Sequence, residues 1–189
     1  MAHMDNHLKK QLEKPQTWFC KYFPKRIRNV GEKEMADRQM VYDFKDGRSF
    51  EAVAQMTAAS LKEQYGDGCK DITFVPVPAS TSEKNKLRYK AFCERVCKLT
   101  GAINGFEHVK VIGGRLAIHE NRKLEKEIRK VSIIEFDEIW FKGKNIVTFD
   151  DVITRGITWA TYSDQLENLG AHVLSGIFLA KTHYKVTTN

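Results

Sequence analysis

The feature that most constrains the fold is a short, mostly apolar run at residues 146–149, bounded by turn-forming residues. Such a run is typical of a strand that is buried on both faces of a parallel sheet. Asp150 and Asp151 follow where the strand is expected to end. A loop of hydroxyl residues around a glycine comes next, at 154–158, and a helix-like run continues from 159 to 169. The segment therefore predicts a strand, a loop and a helix in direct succession, with two carboxylates at the first junction.

The loop from Thr154 to Thr158 has the composition of a phosphate site. A loop that enters a helix N-terminus presents unpaired backbone N–H groups and a partial positive charge. Gly156 allows close approach of the backbone, and the two threonines add hydroxyl donors. The preceding carboxylates suit the hydroxyls of a sugar or a hard cation. The whole pattern predicts a site for a ribose 5-phosphate, and an ordinary strand–turn–helix with solvated aspartates is the alternative.

The segment 145–158 resembles the ribose-phosphate signature of type I phosphoribosyltransferases. In that family an apolar strand leads into two acidic residues, two aliphatic residues and a Thr/Ser-rich loop with glycine. The resemblance implies that Asp150 and Asp151 are the catalytic pair, which contacts the ribose hydroxyls of phosphoribosyl pyrophosphate (PRPP) and holds the cofactor Mg²⁺ directly or through PRPP. It also implies five residues around the 5-phosphate: Thr154, Arg155, Gly156, Ile157 and Thr158. Arg155 departs from the family pattern, in which a small hydroxyl residue is commoner.

A second strand–loop–helix is predicted from Ile72 onward, with prolines marking the end of the strand. The sequence Ser-Thr-Ser-Glu at 80–83 matches a capping box and predicts a helix that runs to about Leu99. By the resemblance, the loop between strand and helix cradles pyrophosphate through its backbone N–H groups. The residues in that place are Pro78, Ala79 and Ser80.

Three short motifs place the resemblance closest to the ComF-like branch of the family. They are Val-Pro-Val-Pro at 75–78, Phe-Lys-Asp-Gly at 44–47 and Leu-Ala-Lys-Thr at 179–182. The resemblance therefore covers roughly residues 40 to 182, and it is strongest at 145–158.

The stretch from 115 to 130 is dense in charge, and by pattern alone it predicts a solvated helix with Glu–Lys pairs. The resemblance implies instead a mobile loop or hood that closes over PRPP and brings cations to the pyrophosphate. The candidate cations are Arg122, Lys123, Arg129 and Lys130. His119 is a candidate general base, with an ordinary surface histidine as the alternative.

Residues 1–35 are predicted to be a basic and aromatic arm outside a domain of residues 36–189, and residues 1–4 have the sequence of a cloning remnant. The aromatic cluster of the arm consists of Trp18, Phe19, Tyr22 and Phe23. Aromatic rings among cations could stack on the bases of a single-stranded nucleic acid. We favour the alternative that the rings pack onto the domain.

The rest of the chain alternates between helical and strand patterns. A helix is predicted at 50–65, and strands are predicted at 109–112, 131–136 and 172–180. This alternation predicts an α/β fold whose parallel strands are joined by right-handed crossovers. With the resemblance, the expected fold is type I phosphoribosyltransferase-like, with a mostly parallel central sheet, flanking helices and a variable hood or flexible loop.

Composition limits the classes of protein that remain. At 42% hydrophobic and 29% charged residues, the 189-residue chain is ordinary for a soluble globular protein, and no apolar stretch approaches a membrane span. Four cysteines without a Cys-x-x-Cys pair predict reduced thiols and a cytoplasmic location. The net charge of +7 favours an anionic partner, either a polyphosphate or a nucleic acid.

The expected function is transfer of a phosphoribosyl group from PRPP with Mg²⁺ to an unidentified acceptor, for which a nucleobase is one candidate. Two alternatives stay open. One is a non-catalytic PRPP- or nucleotide-binding protein, such as a ComF-like protein associated with DNA uptake, and the other is a nucleic-acid-binding module. A Rossmann dehydrogenase is excluded because no G-x-G-x-x-G follows a strand. The resemblance also implies a homodimer.

Overall fold

The computed structural model describes residues 5–112 and 133–185. Within them the strands are β1 (Gln16–Tyr22), β2 (Ile72–Pro76), β3 (Ile103–Asn104), β4 (Val109–Ile112), β5 (Ile133–Phe136), β6 (Asn145–Ile153) and β7 (His172–Thr182). Five strands form one sheet in the order β1-β7-β6-β2-β3, and every neighbouring pair is parallel. β4 and β5 form a separate antiparallel ribbon.

The α-helices in the same residues are α1 (Asn6–Leu12), α2 (Glu32–Lys45), α3 (Phe50–Tyr65), α4 (Ser82–Thr100), α5 (Glu138–Phe141) and α6 (Ile157–Asn168). They lie on both sides of the sheet, so the predicted α/β class with a parallel central sheet and flanking helices is confirmed. None of the helices in the described part of the chain is both long and apolar enough to cross a membrane.

Two hydrophobic cores hold the three layers together. On one face, α2, α3 and α4 cover the sheet with an aromatic cluster of Phe44, Phe74, Tyr89, Phe92 and Phe149, in which neighbouring ring centroids lie 4.5 to 6.4 Å apart. On the other face, α6 packs through Trp159, Tyr162 and Leu166. The central strands β2 and β6 are buried along most of their length, because both faces are covered by helices.

Hydrogen bonds tie the first turn of α6 to the sheet beneath it. Trp159 Nε1 donates to Thr148 Oγ1 (2.7 Å), and Thr148 Oγ1 donates to the carbonyl of Ser175 (3.3 Å). Gly176 makes room for the indole, because a Cβ there would lie 2.7 Å from the Trp159 ring. The helix that carries the predicted phosphate loop is therefore fixed to the sheet immediately behind that loop.

The N-terminal residues contribute two elements that the sequence analysis does not predict. α1 packs against α6, and β1 is the edge strand that pairs with β7. Of the aromatic residues there, Phe23 is buried, while Trp18 is exposed over 40% of its surface. β1 escapes prediction because an edge strand is only half buried and its alternation of apolar and polar residues is weak.

Two predicted junctions are corrected by the structure. β6 continues to Ile153, so Asp150 and Asp151 lie inside the strand and not after its end. The N-cap of α4 is Thr81, whose side chain accepts from the Lys84 N–H (3.2 Å), so the cap lies one residue later than the box predicted at residues 80–83 places it. The predicted helix at 50–65 matches α3 at both ends.

Candidate functional site

The centre of the sheet has a crevice at the carboxyl ends of β2 and β6. These strands are neighbours, but β2 leads through α4 to β3 on one side, and β6 leads through α6 to β7 on the other. Because α4 and α6 pack on opposite faces, the two loops diverge where they leave the sheet. Such a switch point is where ligands bind in open α/β sheets.

The predicted phosphate loop joins β6 to α6 at this crevice. Gly156 is the N-cap of α6, with a φ of 75°, and no side chain of the described residues caps the helix there. Its carbonyl accepts from the Ala160 N–H (2.8 Å), so the N–H groups before Ala160 have no partner within the helix. These donors, at the positive end of the helix dipole, make the loop suited to an anion.

A cavity of about 300 Å³ lies over the loop. Its lining consists of Asp150, Val152, Ile153, Thr154, Arg155, Gly156, Ile157, Thr158 and Trp159. The structure thus brings together all five residues predicted around the 5-phosphate and one of the two predicted catalytic carboxylates. The Thr154 hydroxyl already has a hydrogen-bond partner, because its Oγ1 lies 2.7 Å from Thr182 Oγ1.

Asp151 does not face this cavity and is instead buried in an ionic cluster. Arg88 Nη1, from α4, contacts Asp151 Oδ2, and Lys45 Nζ, from the end of α2, lies 3.5 Å from Oδ1. Arg88 Nε also points to the backbone carbonyl of Lys45 at 3.4 Å. One carboxylate therefore ties α2 and α4 to β6.

Asp150 has a different environment from its neighbour. Its Oδ1 accepts from the Asp151 N–H (2.8 Å) and from the Tyr89 hydroxyl (3.4 Å), and no cation of the described residues forms an ion pair with it. Burial raises the pKa of Asp150 to about 8, and the negative charge of Asp151 adds to the rise. The two aspartates that the sequence treats as a pair therefore have separate roles.

This arrangement bears on how magnesium could be held. Direct binding by both carboxylates would require Asp151 to leave Arg88 and Lys45, and the raised pKa of Asp150 disfavours its charged form. The residues therefore do not fit a magnesium ion held directly by both aspartates, and an ion that arrives on the phosphate oxygens of a ligand stays a prediction.

The predicted pyrophosphate loop follows β2, on the other side of the crevice. Pro78 has no N–H group. The Ala79 N–H donates to Oδ1 of the buried Asn85 (2.9 Å), and the Val77 N–H donates to the carbonyl of Phe149 (2.7 Å). Residues 78–80 therefore lie at the crevice as predicted, but the Ala79 N–H already has a partner within the protein. A role for these three residues in binding pyrophosphate stays a prediction.

Other predicted residues lie outside the described part of the chain. They are His119, Arg122, Lys123, Arg129 and Lys130. Conversely, the sequence analysis missed Arg88, Tyr89 and Asn85 on α4 and gave Lys45 no role. Nothing in the local pattern marks them, because their partners are distant in the chain.

No protein-family model and no curated protein matches this chain. The geometry of the crevice and the sequence motifs that lead to it are therefore the grounds for a functional proposal.

Proposed function

We propose that this protein binds PRPP with magnesium and transfers its phosphoribosyl group to an unidentified acceptor, for which a nucleobase is one candidate. The observation that carries the proposal is the shared cavity of Asp150 and the N-terminus of α6. The 5-phosphate would bind the N–H groups and hydroxyls of residues 154–158. Asp150, which precedes this loop on the same strand, would bind the ribose hydroxyls.

The proposed reaction needs positioning more than a nucleophilic side chain. The bond between C1 of the ribose and a pyrophosphate oxygen breaks, and its electron pair leaves with the pyrophosphate. A lone pair of the acceptor forms the new bond to C1, and the acceptor's proton passes to solvent or a base. Fixed donors around the 5-phosphate and cations near the leaving group would supply the rate enhancement.

The proposal includes the type I phosphoribosyltransferase-like fold and a cytoplasmic location. The parallel sheet with a crevice at its switch point supports the fold, as does the order strand, carboxylates, phosphate loop and helix. All four cysteines are free and buried, which suits a reducing compartment.

Calorimetric titration with magnesium and PRPP tests the proposal. We expect binding by the wild type and its loss in Asp150→Asn, since the amide keeps only one acceptor oxygen and cannot ionise when the ribose hydroxyls and magnesium of PRPP approach. Asp71→Asn is the matched control, because Asp71 is exposed and precedes β2 at the opposite end of the sheet. A folded wild type that does not bind PRPP would overturn the proposal.

Turnover distinguishes the enzyme from its non-catalytic alternative. Pyrophosphate release would be measured with PRPP and each of a panel of nucleobases. Release that depends on one base identifies the acceptor class. PRPP binding that needs Asp150, with no release for any base, would favour the non-catalytic PRPP-binding protein instead.

A second candidate function is binding of single-stranded nucleic acid, which two exposed aromatic residues favour. Lys181 Nζ lies 4.0 Å from the ring centroid of Trp18, and the guanidinium carbon of Arg26 lies 5.3 Å from that of Tyr184. Trp18 and Tyr184 are 40% and 52% exposed. Aromatic rings beside cations are the elements that bind single strands without sequence preference.

Fluorescence anisotropy with a labelled single-stranded oligonucleotide tests this second function. We expect binding that weakens steeply with salt and that Trp18→Ala with Tyr184→Ala removes, while PRPP binding is retained. An oligonucleotide affinity that does not change in the double variant would exclude this surface.

A further inference from the structure

A second cavity lies beside the N-terminal turns of α4 and is separate from the cavity over residues 150–159. It measures about 300 Å³. One wall consists of Ser82, Asn85 and Lys86 of the helix, and the other consists of the β4–β5 ribbon and the segment that precedes it. The two cavities have no lining residue in common. The ligand of this second cavity is therefore a question independent of the proposed function.

Asn85 contributes a buried amide to this cavity. The residue is 5% exposed, and its Oδ1 accepts from the Ala79 N–H (2.9 Å). Because an N–H group can only donate, this bond identifies the amide oxygen, and the nitrogen is the atom left to face the cavity. Within residues 5–112 and 133–185 the nitrogen has no hydrogen-bond partner, and the protein does not close it off from the cavity. A buried amide donor without a partner favours a ligand that supplies an acceptor.

The helical wall of the cavity offers further donors beside this amide. Ser82 is the first residue of α4, so its hydroxyl lies at the positive end of the helix dipole. Lys86 adds an exposed ammonium group one turn further along the helix. Together with the Asn85 nitrogen, these groups suit a carboxylate, whose two oxygens accept several hydrogen bonds.

The opposite wall is apolar where it meets the core. Phe106, Val109 and Val111 line it, and each of them is at most 8% exposed. Small-molecule sites typically combine such an apolar surface with a few polar groups that fix the orientation of the ligand. This wall therefore favours a ligand with an apolar body.

The two walls of the cavity carry opposite charges. Lys86 makes the helical wall positive, whereas the ribbon wall carries Glu107 and Glu135 with one lysine, Lys110, which is paired with Glu135 across the ribbon. Glu107 lies 3.7 Å from Lys90, outside the cavity. Glu135 has no ion pair of this kind within the described residues, so it is the carboxylate left for a cationic group. A molecule with one negative and one positive group fits this separation better than a polyphosphate does.

We propose that this cavity binds a free amino acid with an aliphatic side chain. The carboxylate of the ligand accepts from the Asn85 amide nitrogen and from the donors beside it. The ammonium group faces Glu135, and the aliphatic side chain packs against the apolar residues of the ribbon wall. The site takes a ligand of a different class from PRPP, and its existence does not depend on the proposed function.

Titration of the isotope-labelled full chain with L-leucine, followed by NMR, tests the site. Two analogues separate the charged groups, because isocaproate lacks the ammonium group of leucine and isoamylamine lacks its carboxylate. We expect L-leucine to shift the side-chain amide resonances of Asn85 and to bind at least about tenfold more tightly than either analogue, since each analogue loses one charge-assisted contact. Equal affinity for leucine and either analogue would overturn the proposal, as would Asn85 resonances that do not shift at any leucine concentration.

Asn85→Asp removes the donor and keeps the contact that the fold uses. The aspartate retains an oxygen for the Ala79 N–H, but a second oxygen replaces the nitrogen and repels a carboxylate. We expect this variant to bind L-leucine more than about tenfold less tightly than the wild type does. Thermal unfolding checks that the variant is folded, and a folded variant with unchanged affinity would show that the amide nitrogen does not bind the ligand.

A pair of lysine variants tests the same wall without touching a buried residue. Lys86→Met should weaken leucine binding about tenfold, whereas isoamylamine, which has no carboxylate, should lose nothing. Lys84→Met is the matched control, because Lys84 is an exposed lysine of the same helix that does not line the cavity. It removes the same charge and should leave both affinities unchanged. Equal effects of the two lysine variants on leucine binding would overturn the proposed site.

Discussion

Gly156 lies directly against Leu12, so that a Cβ on Gly156 would stand 2.7 Å from Leu12 Cδ2. The N-terminal helix α1 therefore packs behind the predicted phosphate loop. The same glycine has a φ of 75°, a conformation that favours glycine over every residue with a side chain. Loop geometry at the candidate site thus depends on a residue near the beginning of the chain.

Gly156→Ala should destabilise the protein by about 2 kcal/mol and weaken binding of ribose 5-phosphate. About 1 kcal/mol comes from the left-handed backbone, and the remainder comes from displacing Leu12. Gly143→Ala is the control, because Gly143 has a φ of 73° but no atom within 4 Å of the added Cβ. Urea unfolding of both variants isolates the contact with Leu12, and equal destabilisation by the two would show that α1 does not support the loop.

Replacing each of the two adjacent aspartates by asparagine should affect a different property, namely stability for Asp151 and PRPP binding for Asp150. Asp151→Asn removes the partner of Arg88 and Lys45 in a mostly buried place and should cost about 3 kcal/mol of stability. Asp150→Asn should leave the protein at least as stable as the wild type at neutral pH and should abolish PRPP binding. Thermal unfolding and calorimetry of each variant check the pair. Equal losses of stability in both would contradict the separate roles.

Stability should fall with rising pH through the titration of Asp150. The folded protein holds this proton up to a pKa of about 8, whereas the unfolded chain releases it near 3.8. Between these values the folded state binds more protons, so the free energy of unfolding decreases as pH rises. Asp150→Asn lacks this titration, so its stability relative to the wild type should rise by several kcal/mol between pH 4 and pH 8, at about 1.4 kcal/mol for each pH unit.

Urea unfolding of wild type and Asp150→Asn at several pH values measures that difference. Other groups contribute to the pH dependence in the same range, including His183, whose pKa is lowered mainly by burial, but they contribute equally to both proteins. A constant difference in stability across the range would show that the pKa of Asp150 is not raised.

The order of elements at residues 146–158 could be predicted because it is local. An apolar run, a glycine loop and a helical pattern follow one another, and each depends on neighbours within a few residues. Asp150 and the loop share one cavity for the same reason, because they are close together in the chain. Local pattern could not predict that β6 extends to Ile153, because that extension depends on pairing with β7.

The ionic cluster could not be predicted, because it depends on the order of strands in the sheet. Arg88 is 63 residues from Asp151, and in the sequence it is one of many charged residues on a helical surface. Only the adjacency of β2 and β6, with α4 packed over both, brings it to the carboxylate. The sequence therefore predicts the strand and loop of the candidate site, while the residues that give the two aspartates different surroundings come from the tertiary fold.

Two buried threonines on neighbouring strands should differ sharply when each is replaced by valine. Thr148 Oγ1 accepts from Trp159 Nε1 at 2.7 Å, so Thr148→Val strands a buried donor and should cost about 2 kcal/mol. Thr73 Oγ1 is also buried but has no hydrogen-bond partner within residues 5–112 and 133–185, so Thr73→Val should be neutral or stabilising. Because Trp159 lies in the first turn of α6, next to the predicted phosphate loop, Thr148→Val should also weaken binding of ribose 5-phosphate, whereas Thr73→Val should not. Urea unfolding and calorimetry measure both effects, and equal costs in the two variants would show that the indole bond does not hold α6 in place.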